Sequence, residues 1–112
     1  MNDTRRDTMQ MRQGDVLLIQ TTKPASAEAK RVEPERGRVV LAYGEVTGHA
    51  HALDASLAEL FEERDGTLYL RVTTPGAQLV HEEHAALDVP PGMYRVVHQR
   101  EYTSEAIRRV AD

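Results

Sequence analysis

Two segments of this chain alternate apolar and polar residues, and Gly- or Pro-containing turns lie beside them. Thr67–Thr73 (TLYLRVT) sets Leu68, Leu70 and Val72 on one face, and Met93–Tyr102 sets Tyr94, Val96, His98, Arg100 and Tyr102 on one face. Period two is the repeat of an extended strand with one buried side. Val16–Ile19, Arg38–Tyr43 and Ala77–His81 are short apolar runs of the same type. Residues 53–62 also fit a helical stripe through Leu53, Leu57, Leu60 and Phe61. The hairpin-like Glu62–Gly66 favours a strand over 58–62 instead. Turns at Gly44, Asp65-Gly66, Pro75-Gly76 and Pro90–Gly92 separate these runs. The pattern predicts an all-β barrel or sandwich of about six or seven strands. Ser104, with Glu105 behind it and Arg108-Arg109 further on, predicts a short C-terminal helix. Residues 1–12 (MNDTRRDTMQMR) read as a flexible arm and 13–112 as a single β domain. Residues 21–38, with Pro24, Pro34 and many charges, read as a surface connection with one helical turn around Ala25–Lys30.

At 112 residues one compact domain is expected. With one Phe, four Tyr and no Trp, the core must come from aliphatic side chains. The absence of Cys excludes disulfides, thiolate nucleophiles, iron–sulfur ligation and zinc fingers, so a metal must be held by His and carboxylate. The net charge of −4 disfavours nucleic-acid and anionic-membrane partners. No apolar run approaches the roughly 18–20 residues of a spanning helix, and Arg5-Arg6 lacks the apolar stretch of an export signal. A cytoplasmic address follows as the expectation. Ser26, Ser56 and Ser104 sit outside any nucleophile elbow, and neither a dinucleotide fingerprint nor a phosphate loop is present.

The chemistry-bearing residues concentrate in the middle. Residues 45–88 hold nine acids, two bases and four of the five His. Imidazoles among carboxylates offer lone pairs in a field that attracts cations. In Gly44–His51 the odd positions are Glu45, Thr47, His49 and His51, and the even ones are small and apolar. His49 and His51 thus share one face of a strand, where two imidazoles can converge on one ion. That all-polar face could equally be a solvated one. His81-Glu-Glu-His84 departs from the helical zinc-protease motif by one residue, yet a strand end running into a loop can aim both His at one site. Glu82 and Glu83 alternate, so at most one should point inward. The candidate ligands are His49, His51 and His81, completed from His84, Glu45 and His98.

Gly44-Glu-Val-Thr-Gly-His-Ala-His51, His81-Glu-Glu-His84, Pro91-Gly92-x-Tyr94-Arg95-Val96 and Gln99-Arg-Glu-Tyr102 resemble an uncharacterised family of small bacterial and phage proteins, over about residues 13–110. A second resemblance is to cupins, through Gly44, His49, His51, Glu59 and Gly66. It implies a β-barrel with a His-rich interior site. The spacing departs from the cupin pattern between His51 and Glu59, and Arg95 stands where the second motif carries its His ligand. Two functions follow as expectations. One is binding of a divalent metal such as Zn, Fe or Mn, with catalysis left open. The other is a non-catalytic protein-interaction or homo-oligomeric module whose His/Glu face holds no metal.

Overall fold

The computed structural model describes residues 9–23, 25–44 and 48–98. Ten strands occur among them. They are β1 (Gln10–Gln13), β2 (Val16–Thr21), β3 (Lys30–Val32), β4 (Arg38–Tyr43), β5 (Ala50–Asp54), β6 (Ala58–Glu62), β7 (Leu68–Val72), β8 (Gln78–His81), β9 (His84–Asp88) and β10 (Gly92–His98). The fold is all-β, as the alternation predicts. One antiparallel sheet runs β1-β2-β10-β7-β6-β3 and the other β4-β5-β8-β9. No ladder joins the two among the described residues, so the expected barrel does not close. No described helix is long and apolar enough to cross a membrane. The predicted C-terminal helix and the segment Gln99–Tyr102 lie outside the described residues.

Three strands exceed the expected six or seven, each for a local reason. Residues 10–12, assigned to the arm, form β1 because Gly14-Asp15 closes a two-residue hairpin onto β2, in register Gln13↔Val16. Gly14, at φ +57°, takes the first central position, where glycine is preferred. The expected helical turn near Ala25–Lys30 is only a tight turn, with the Ala29 amide donating to the Ser26 carbonyl, and the chain then pairs as β3. β3 is charged at two of three positions and exists through its pairing with β6. β9 (HAALD) is weak in β-propensity and mostly exposed, and a tight turn at Glu82-Glu83 holds it to β8.

The inner faces of both sheets share one core, formed by Val16, Leu18, Val39, Leu41, Leu53, Leu60, Leu70, Val72, Leu79, Val89, Tyr94 and Val96 with smaller alanines. Tyr94 is fully buried, and its hydroxyl donates to the Pro90 carbonyl at 2.7 Å, which satisfies the one polar atom it carries inward. Leu70 is 0% exposed and sits where β7 lies between β10 and β6. Truncating it to Ala should lower stability by about 2–5 kcal/mol, because a buried cavity remains. The same truncation at Val80, 40% exposed, should change it by less than about 1 kcal/mol. Urea denaturation of both variants checks the assignment of faces.

Candidate metal centre

The apolar stripes that line the core turn polar at one end of the molecule. Two residues on from a core position lies the same face of a strand. Met11 packs on the core and Gln13 follows it; Leu53 is preceded by His51; Leu79 is followed by His81; Val96 is followed by His98. The odd-numbered face of the His49–Leu53 segment therefore points between the sheets. His51 is 5% exposed and His49 half-buried, so the reading of this row as a solvated face does not hold for them.

Four of the expected ligands meet here. The His81 ring lies at the centre, 4.2 Å from the His51 ring, 4.7 Å from His84 and 5.8 Å from His49, measured between centroids. His51 and His84 are 5.7 Å apart. His81 and His84 pair directly across the tight turn that closes β8 and β9. The ligating atoms of His49, His81 and Glu82 all lie within 4.8 Å of one another. Both turn carboxylates are exposed, and each makes a contact of its own. Glu82 accepts the Ala50 amide at 3.0 Å, and that bond holds its pKa below the usual carboxylate range. Glu83 lies 3.2 Å from His49 Nδ1. Glu45 lies outside the described residues. His98 makes no ring contact with these four among the described residues, although it adds to the lowering of the His51 pKa. Its Nε2–H donates to the Leu41 carbonyl at 2.9 Å, beside the register shift between β4 and β5.

Sequence reasoning missed Gln13. Its Nε2 donates to the Leu79 and Ala85 carbonyls, each at 2.9 Å. Carbonyls only accept, so both amide protons are committed and Oε1 must be the acceptor facing His51 Nδ1 at 2.8 Å. His51 then carries its proton on Nδ1 and presents the Nε2 lone pair, the form in which an imidazole ligates metal through that nitrogen. Burial, then the neighbouring His81 and His84, lower the His51 pKa to about 4, while Asp15 acts in the opposite direction. His51 is therefore neutral throughout the physiological range. His81 is set differently, for its Nδ1 accepts the Glu83 amide at 3.0 Å and its proton resides on Nε2 when neutral. The hairpin signal Gly14-Asp15 could have exposed Gln13, because a strand before that turn aims Met11 and Gln13 inward.

Glycines make room for the cluster. A Cβ on Gly14 would stand 2.7 Å from His84 Nε2, and one on Gly44 would stand 3.2 Å from His81 Nε2. Glu59, which the cupin pattern offers as a ligand, is instead ion-paired with Arg71 and Arg31 on the six-stranded sheet.

Fold and site together define a small two-sheet β protein with a histidine cluster at one end of its core, from buried His51 to exposed His84. Residues 12–99 match the family described as a domain of unknown function, DUF8820, and the chain belongs to it. No curated protein and no solved structure matches the chain.

Two outcomes follow. Between pH 6.5 and about 4 the unfolded chain protonates this histidine and the folded chain resists. Stability from His51 is thus fully present above the unfolded value and lost as pH falls towards about 4. Urea midpoints across this range should fall more steeply for the native chain than for His51→Leu. Gln13→Leu strands two carbonyls and should cost roughly 1–3 kcal/mol in the same assay at pH 7.

Proposed function

We propose that this protein binds a divalent metal ion of the zinc, iron or manganese type through its histidine cluster. The observation that carries the reading is the meeting of the two separate motifs, His49-Ala-His51 and His81-Glu-Glu-His84, around the His81 ring. Had the motifs lain on opposite sides, an interaction module would be the better account. The donor set is imidazole with carboxylate, which suits these ions. His49, His81 and Glu82 form the nucleus of the set, and His51, a neutral and oriented imidazole beside His81, completes it with His84. The tautomer that Gln13 imposes is the one a ligating Nε2 needs, in the manner of outer-shell groups at known metal sites.

His81 must adjust on binding. Ligation through Nε2 requires the proton to leave that nitrogen and the Glu83 amide contact to Nδ1 to open. Metal capture should therefore register at the β8–β9 turn.

Isothermal titration and thermal melts of untagged protein with Zn²⁺, Fe²⁺ and Mn²⁺ at pH 7.5 test the reading. A ligand that binds only the folded state at about 100 times its Kd adds about 2.7 kcal/mol, so the melting temperature should rise by several degrees. His51→Ala/His81→Ala should abolish that rise while the metal-free protein still folds. An unchanged melt with all three ions would overturn the proposal and return the cluster to an interaction role.

A further inference from the structure

The outer face of the six-stranded sheet carries a charge opposite to that of the whole chain. Its residues are those that alternate with the core positions. In register across the sheet they form a continuous row, Gln10–Ile19–Arg95–Tyr69–Phe61–Arg31, one residue from each strand. Arg12 stands on the next row at the β1 edge, opposite Leu17. Arg71 stands on the row at the opposite side of the first, between Met93 and Glu59. The strands of this face thus present four arginines, all exposed, against the single acid Glu59, a balance of +3 on a chain of −4. Neighbouring strands are about 4.8 Å apart, so the arginines from Arg12 to Arg31 span about 24 Å.

The face is cationic and aromatic. Among the described residues no ion pair engages Arg12 or Arg95, whereas Arg31 and Arg71 share Glu59. Phe61, the only Phe of the chain, is half-buried with the Arg71 guanidinium 5.5 Å from its centroid. Tyr69, at 7% exposure, forms the floor between the Arg95 and Phe61 columns. Guanidinium groups grip phosphates, and an antiparallel sheet bearing aromatics beside them suits unpaired bases.

We propose that this face binds single-stranded nucleic acid, chiefly through its phosphates, with Phe61 offering the one ring a base can reach. The site is independent of the histidine cluster, which lies at one end of the core. Because Tyr69 is covered, binding is led by charge and shows little sequence preference. Glu59 restrains two of the four arginines and repels phosphate, so it limits affinity.

Fluorescence anisotropy of the full chain with labelled oligothymidylate and oligouridylate about 20 nucleotides long tests this. Log affinity against log salt should fall with a slope between about −1.4 and −2.8, for two to four phosphate contacts. Arg12→Ser/Arg95→Ser should flatten the slope by about 1.4. Glu59→Gln, a surface change that leaves the core intact, should tighten binding, which a merely structural ion pair would not do. No binding near 50 mM salt, or binding that neither variant moves, would overturn the proposal. Equal competition by polyglutamate would also overturn it and assign the face to an acidic protein surface. An arginine-dependent dimer in sedimentation would overturn it in favour of a second copy of the chain.

Discussion

The side-chain amide of Gln13 ties the two sheets together at the end that carries the histidines. It is buried, and each of its polar atoms is engaged: two protons on carbonyls of β8 and β9, and the oxygen on His51. A buried amide left unpaired is costly, so this position admits only an arrangement in which β1, β8, β9 and β5 keep their mutual places. The register shift within β8–β9 lies beside one of the carbonyls used. His98 repeats the device on the other side, where β10 reaches the Leu41 carbonyl beside the shift in β4–β5. Interrupted ladders leave carbonyls without a strand partner, and two inward polar side chains consume them. No described buried side-chain nitrogen or oxygen lacks a partner.

This arrangement explains how a lean core coexists with a polar interior. The aliphatic stripes fill the space between the sheets for most of its length, and Tyr94 adds the one large aromatic fully buried there. At the far end the same stripes continue as Gln13, His51, His81 and His98. The His51 imidazole tolerates its buried position because it remains neutral, and its lowered pKa is the direct expression of that burial. A charged residue at position 51 would face the penalty of burial beside the His81 and His84 rings. His51 is thus held in its neutral form, which is also the form that binds metal.

The histidine pattern was legible before the fold was known, in HxH and HxxH and in the concentration of acids around them. Its meaning was not. Alternation shows that His49 and His51 share a face, but only the packing of one sheet over the other decides that this face points inward. Likewise the HEEH pattern alone predicts a strand end running into a loop, whereas pairing of His81 with His84 makes it a hairpin whose arms both carry a ring towards His51. The Gly14-Asp15 turn could have aimed Gln13 inward, but not named its partners, which lie far along the chain at positions 51, 79 and 85.

What the sequence by itself determined is the local part: extended segments at 16–19, 38–43, 58–62, 67–73, 77–81 and from 93 onward, the turns between them, and an all-β class. These follow from period-two alternation and turn chemistry, which act over a few residues. The strands β1, β3 and β9 escaped it, since short polar segments hold their shape only when a neighbour supplies hydrogen bonds. Tertiary structure alone decided the rest. Net charge argued against polyanionic partners, yet the sheet gathers Arg12, Arg31, Arg71 and Arg95 onto one face from four separate strands. Charge sums along a chain, but fields and donor sets depend on distance in space. Strand order, which no local pattern encodes, sets those distances.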